Sequence, residues 1–306
     1  VRTYAYYPGC SLEGTAKEYD RSLRAVAPLL GIHLAELHDW SCCGSSAAHA
    51  TSHHLGLALA ARNLNLAVPR SGQPADLLVP CAMCYNRLRV TARELAADPG
   101  LRADVETEIG APFAGGPVKT RALPEVLWKD VGPEAISQAV VHPLDGLKIA
   151  CYYGCLLVRP MEATGWDDAE DPKSLDDIVA ATGAEPVVWS HKVECCGGGL
   201  SISRRELVGK LVADILTAAQ DAGADAIVTA CPMCHANLDT RQGLAAAAAG
   251  RPLAVPVLYI TQLLGLACGL PERKLSLRSH LTSVGPLLAK IRDLKNQAQA
   301  AGEGGS

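Results

Sequence analysis

One arrangement of cysteines is written twice along this chain, and it limits the available folds more than any other feature. The first copy places Cys10 after Tyr-Tyr-Pro-Gly, Cys42 and Cys43 before Gly44, and Cys81 and Cys84 in a C-x-x-C. The second places Cys155 after Tyr-Tyr-Gly, Cys195 and Cys196 before Gly197, and Cys231 and Cys234 in another C-x-x-C. Matched cysteines lie 145, 153 and 150 residues apart, so one domain has been duplicated with small changes in loop length.

Around each motif the hydrophobic pattern alternates strand and helix. Strands are expected at residues 2–7, 32–37 and 76–79, and again at 147–152, 186–189 and 226–229. Helices are expected at 16–30, 47–67 and 83–97, and again at 174–182, 202–222 and 233–249. Every motif then falls at the carboxyl end of a strand or the start of a helix. In a parallel α/β sheet those ends share the ligand-binding edge, and helix N-termini favour anionic thiolates. The expected class is therefore α/β, with two tandem pseudo-symmetric cysteine-rich domains. Each would be a small, mostly parallel Rossmann-like sheet flanked by helices.

Expected boundaries are 1–120 for the first domain, 121–145 for a connection, 146–272 for the second domain and 273–306 for a basic segment with a flexible tail. Residues 99–145 read as irregular and rich in Pro and Gly, with short helices at 123–131 and 133–140.

Composition narrows the function classes. A net charge of −4 without an extended basic stripe gives no indication of a nucleic-acid partner. A single Phe among few aromatics argues against a stacking platform. The apolar run 253–270 is broken by Pro256, Thr261, Gln262 and two glycines, so it reads as a strand, a turn and a buried helix rather than a membrane span. Twelve cysteines in a chain of this size, with no leader before the first strand, suit metal in a reducing cytoplasm better than disulfide staples.

Each copy supplies five thiols. A structural zinc takes four, usually with about 15–20 residues between pairs; here 37 and 34 residues separate the Cys-Cys pair from the C-x-x-C. The crowded ferredoxin spacing is also absent. Two adjacent cysteines do not easily aim both sulfurs at one metal, but they can address or bridge two irons of one cluster. Gly44 and Gly197 are expected to relieve crowding where backbone approaches that cluster.

This pattern resembles the cysteine-rich "CCG" domain, present twice as in the B-type subunit of heterodisulfide reductases, over roughly residues 2–269. The resemblance implies that Cys10, Cys42, Cys43, Cys81 and Cys84 hold one noncubane [4Fe-4S] cluster. It implies that Cys155, Cys195, Cys196, Cys231 and Cys234 hold a second. It further implies a disulfide cleaved between the two clusters, an iron–sulfur subunit of the C type as electron donor, and a flavin-containing subunit of the A type in the same hetero-oligomer. In one version of the family's reaction the disulfide is that of the methanogen coenzymes M and B. A related version acts oxidatively on a protein-bound sulfur carrier, as in sulfur oxidisers; Arg outnumbering Lys 18 to 10 leans towards it. CCG pairs also occur in electron-relay subunits of glycolate, lactate and succinate-type dehydrogenases, which is the competing expectation. A zinc-stabilised structural module is the third.

Other residues receive plainer readings. Cys151 and Cys268 are expected in the core. His49, His53 and His54 read as solvated or cluster-shielding, with a metal pair at His49 and His53 as the alternative. His191, Lys192 and Arg204 flank the second motif, as surface groups or as attractors of an anion. His235 stands where Tyr85 stands in the first copy.

Overall fold

A computed structural model describes residues 1–69 and 76–303. The chain builds two four-stranded sheets. The first holds β1 (Arg2–Tyr6), β2 (Ile32–Glu36), β3 (Asp76–Val79) and β4 (Lys119–Ala122), in the order β2-β1-β3-β4. The second holds β5 (Lys148–Tyr152), β6 (Glu185–Pro186), β7 (Ala226–Thr229) and β8 (Val257–Tyr259), in the order β6-β5-β7-β8. Every pairing is parallel. Parallel neighbours need crossovers, and helices on the sheet faces supply them. Buried on both faces, central strands such as Ala-Ile-Val-Thr in β7 are sealed along their whole length. In both sheets strand order reverses beside the first strand of its copy, which opens a crevice at the carboxyl ends. The three cysteine motifs of each copy follow its first, second and third strands.

The helices largely follow the expected pattern. Lys17–Val26 continues into the 3-10 turn Ala27–Leu30, and Ala82–Ala97 opens at Cys81. The stretch expected at 47–67 is split into Ala47–Thr51 and His53–Leu66 at Ser52, whose hydroxyl accepts the Leu55 N–H at 3.3 Å. The run expected at 253–270 is β8 followed by the helix Ile260–Ala267. No helix among the described residues is long and apolar enough to cross a membrane.

Two expectations need correction. Strand pairing expected at 186–189 ends early. The Val187 N–H bonds Ile149 O at 2.9 Å, after which Trp189 turns its indole N–H onto the Cys151 carbonyl. Residues 99–145 hold the short helices expected near 123–131 and 133–140, but are more regular than expected before them. Asp98 caps the helix Pro99–Ile109, donated to by Gly100 and Leu101, and Gly110 ends it with φ +68°. β4 then completes the first sheet, followed by a π-helical turn Val126–Val131 and the helix Pro133–Ala139. The C-terminal segment forms the helix Gly285–Glu303; residues 304–306 of the expected flexible tail lie outside the described residues.

The carboxyl edges of the two sheets face each other. Tyr19, on the helix Lys17–Val26, stacks on Tyr259 at 4.1 Å and 6°. Its hydroxyl reaches Pro80 O at 3.3 Å and Ala230 O at 3.4 Å, one residue before each C-x-x-C. Ser22 Oγ meets Thr261 Oγ1 at 2.7 Å in the same buried layer. On the other flank, Asn86 Nδ2 donates to Leu156 O at 3.0 Å, and Arg89 Nε to Ala163 O at 2.7 Å.

At the outer edge of the first sheet, Arg121 of β4 is buried among three carboxylates. Its Nη1 lies 3.0 Å from Asp76 and its Nη2 3.1 Å from Asp130. Nε lies 2.7 Å from Glu125 as an ion contact without hydrogen-bond alignment. Burial raises the Glu125 pKa despite this cation. Arg121→Leu leaves Glu125 without its cation, while Asp130 keeps Tyr4 and Arg2 and Asp76 keeps Lys119, and is expected to cost about 3 kcal/mol. Urea unfolding of the full chain measures this; a loss below about 1 kcal/mol would show that the cluster contributes little to the sheet.

Candidate metal centre

Each lone cysteine is delivered by a glycine in the left-handed region. Gly9 has φ +71°, and a Cβ there would stand 3.0 Å from Cys84 Sγ; at Gly154, φ is +67° and the distance to Cys234 Sγ 2.9 Å. No other residue lets the turn after the first strand pass so close to the C-x-x-C sulfur. The Cys-Cys-Gly glycines do something different from the role expected of them. Gly44 and Gly197 also have positive φ, but they press against the following helices, at Leu59 and Gly56 and at Val208 and Leu211. Crowding by sulfur is thus relieved at Gly9 and Gly154, whose role depends on a contact invisible in the motif.

The geometry brings all ten expected cysteines into two sets. In the first, Cys10 Sγ lies 3.6 Å from Cys42 Sγ, and Cys43 Sγ lies 3.1 Å from Cys84 Sγ. Within the adjacent pair, Cys42 reaches the lone cysteine and Cys43 reaches the C-x-x-C, while the two thiols also interact with each other. In the second set Cys196 Sγ lies 3.6 Å from Cys234 Sγ, while Cys195 bonds Cys155. Cys81 and Cys231 shift each other's titration across the facing edges, and the Tyr19 hydroxyl reaches the carbonyl before each of them, so the sets abut. Cys10, Cys42 and Cys195 are exposed and Cys155 is half-buried, whereas Cys43, Cys81, Cys84, Cys196, Cys231 and Cys234 are buried.

Beneath each set lies a tyrosine–tryptophan floor. Tyr7 donates to Ser41 O at 2.7 Å and meets Trp40 edge-on at 5.5 Å. Tyr152 donates to Glu194 O at 2.6 Å and packs on Trp189 at 6.2 Å. Burial first, and then the surrounding sulfurs, push both phenols far above their ordinary range. Both hydroxyls stay protonated and committed to carbonyls.

The thiols polarise one another. The hydrogen bond from Cys155 lowers Cys195 to about 6, with help from the Gly197 N–H at 3.3 Å, and the same bond raises Cys155. Bonds from Cys42 and Cys84 lower Cys43, and bonds from Cys234 and Cys81 lower Cys231. Five soft donors per set, with negative charge shared inside a mostly buried pocket, suit a thiophilic metal or cluster whose positive charge offsets their desolvation.

The remaining candidates take other roles. Cys151 is buried within β5 and Cys268 ends the helix Ile260–Ala267. His53 Nε2 lies 3.0 Å from Glu94, and its ring meets that of His49 edge-on at 5.8 Å. Lys192 is buried against Asp176 at 2.9 Å; its carbonyl accepts the Tyr153 and Gly154 N–H groups at 2.9 and 3.1 Å. It therefore braces the Cys155 turn instead of attracting an anion.

Sequence reasoning gave His235 no partner. Its ring stacks on Tyr259 at 4.1 Å, and its Nε2 lies 3.0 Å from His280 Nδ1. With Asp239, these side chains bring ligand atoms within 4.8 Å of one another. The donors are already spent, however. Asp239 accepts the Leu281 and Thr282 N–H groups at 2.7 and 2.9 Å, and Gln262 Nε2 donates to His280 Nε2 at 2.8 Å. Burial depresses His235 to about 3. This closed set pins the segment around His280 onto the second C-x-x-C helix.

Comparison with known proteins bears on this double arrangement. The model of the cysteine-rich domain family "CCG" matches residues 4–89 and 149–239. The chain is 33% identical to the 8-methylmenaquinol:fumarate reductase membrane anchor subunit of Wolinella succinogenes, over 92% of this chain and 97% of that protein. It is 32% identical to the B-type subunit of the ferredoxin/F(420)H(2)-dependent CoB-CoM heterodisulfide reductase of Methanosarcina acetivorans, over 94% of this chain and 96% of that one. A protein of Archaeoglobus profundus named as like the B-type heterodisulfide reductase subunit is 30% identical over 89% and 93%. Among solved structures, a hypothetical protein from Helicobacter pylori superposes with a TM-score of 0.72 at 15% identity, covering 92% of this chain and 52% of that one, a likeness of fold alone.

In metal-free protein Cys195 is expected to alkylate ahead of Cys155. Its pKa is lowered, so the reactive thiolate is lost only as pH falls through about 6. Brief iodoacetamide pulses between pH 5 and 8 with peptide mapping read this directly. Cys155 labelling first, or Cys195 labelling only above pH 8, would contradict it.

Proposed function

Given that this chain belongs to the CCG cysteine-rich domain family, we propose that it is the catalytic iron–sulfur subunit of a heterodisulfide reductase-like complex. Residues 1–120 hold one noncubane [4Fe-4S] cluster through Cys10, Cys42, Cys43, Cys81 and Cys84. Residues 146–272 hold a second through Cys155, Cys195, Cys196, Cys231 and Cys234. Residues 121–145 connect the two, and the basic segment 273–306 follows. The observation that carries this reading is the abutment of two five-thiol sets at Cys81 and Cys231, each with an exposed side. Five thiols in one set, with Cys42 beside Cys10 and Cys43 beside Cys84, support a cluster of several irons over a single ion.

The overall reaction joins a disulfide, two electrons and two protons to give two thiols, or runs in reverse on thiols or protein-bound sulfur. When bound, each cluster supplies electrons singly and an iron open to sulfur. The protein's own part is positioning. The Tyr19 hydroxyl ties the two C-x-x-C turns into one unit, which fixes the separation of the two sites. Tyr7 and Tyr152 donate no protons to product, because each is locked on a carbonyl. Protons therefore arrive from water on the side where Cys10, Cys42 and Cys195 are exposed. Electrons pass through a C-type iron–sulfur subunit and an A-type flavin subunit in a cytoplasmic hetero-oligomer.

A second reading is an electron-relay subunit, favoured by the 33% identity to a subunit of a fumarate reductase. Anaerobically purified protein is expected to carry about eight irons per chain. It should develop a paramagnetic signal after oxidation only when thiol is present. Eight irons without any thiol-dependent signal favour the relay. About one or two zincs without iron defeat both readings.

Gly154→Ala gives a local check. It forces a side chain towards Cys234 Sγ in a backbone conformation that disfavours it. Iron should fall by about half as the second site fails to load; unchanged iron would mean that this close approach is dispensable.

A further inference from the structure

The duplicated sites carry equal sets of thiols but unequal charge. Three residues beyond the second cysteine of each C-x-x-C stands Arg87 in the first copy and Asn237 in the second. On the helices Ala82–Ala97 and Pro232–Thr240 that spacing keeps each residue on the face of its cysteine. Asn237 is buried and fully engaged. Its Nδ2 donates to Cys196 O at 2.8 Å, and its Oδ1 accepts Ser201 Oγ at 2.8 Å and Arg241 Nε at 2.9 Å. Arg241 also gives Nη2 to Ser201 O at 3.0 Å, so its donors are directed at that amide and that carbonyl.

Arg87 is placed differently. Its Nε is buried with no hydrogen-bond partner. Among the described residues no carboxylate lies within ion-pair distance of it, and Glu94, two turns along the helix, is held by His53 at 3.0 Å. One turn back lies Cys84, whose sulfur is 3.1 Å from that of Cys43. Burial lowers the Arg87 pKa, and the charges of Cys43 and, after it, Glu94 oppose that shift. A half-buried cation without a carboxylate is costly unless an anion compensates it, and a thiolate-ligated cluster supplies one.

We propose that Arg87 is the counter-ion of the first cluster and holds it at a higher reduction potential than the second, so that an electron entering the chain rests on the first site. This rests on the reading that each set holds an iron–sulfur cluster. A fixed positive charge stabilises the more negative, reduced state, and the neutral Asn237 offers the second site no such help.

The test is an anaerobic redox titration of the full chain followed by paramagnetic resonance, with iron and sulfide measured on each sample. Wild type should give two unequal midpoints. Arg87→Asn should lower the upper one by at least tenfold in the one-electron equilibrium, about 59 mV. Arg87→Lys should restore most of it, and Arg241→Gln should leave the upper midpoint in place. Should Arg87→Asn load poorly, Arg87→Gln carries the decision. Full iron with both midpoints unmoved, or movement of the lower one alone, overturns the assignment. Wild type without iron overturns the underlying reading as well.

Discussion

The seam between the two C-x-x-C turns is the contact on which the rest of the molecule depends. Each turn sits at the carboxyl end of a central parallel strand, and the two ends approach closely enough for one phenol to touch both. Two sheets brought edge to edge leave backbone carbonyls facing each other in a dry layer, where an unpaired polar group is costly. Tyr19 answers both carbonyls, and its stack on Tyr259 fills the space behind. The helix Lys17–Val26, the helix Ile260–Ala267 and the two thiols Cys81 and Cys231 are all fixed by this layer.

Symmetry holds at the sulfur and fails around it. Both copies keep the glycine under the lone cysteine, the tyrosine beneath the set and the tryptophan beside it. They differ at His235 against Tyr85, and in the length of chain between tryptophan and cysteine pair: Ser41 alone in one, Ser190 to Glu194 in the other. The longer link brings in Lys192, whose carbonyl braces the second turn. Duplication supplied two similar sets of thiols, and their surroundings have since diverged.

Much of this was legible in the sequence, because cysteine motifs and apolar parallel strands both leave local signals. The ten cysteines and the central strands of each sheet stand where the pattern put them. β4 escaped notice because Lys-Thr-Arg-Ala does not look like a buried strand; Arg121 is tolerated inside only through Asp76, Glu125 and Asp130, which the fold assembles. The helix Pro99–Ile109 buries only Val105, so it has almost no amphipathic stripe to detect. Its true signals were Asp98, Pro99 and Gly110, a cap, a start and a stop. The close approach at Gly9, the histidine pair and the lone position of Arg87 are tertiary facts, and no local pattern encodes them.

The two residues that Tyr19 bridges stand 61 and 211 positions away along the chain. Closing so long a loop is entropically unfavourable, and contacts of such separation form late. The first sheet can condense from its own strands, since all four lie before residue 123. The layer around Tyr19 is completed only after β7 and β8 are in place. Until then Cys81 lacks its partner across the seam, so assembly of the paired centre is timed by the last third of the chain to fold.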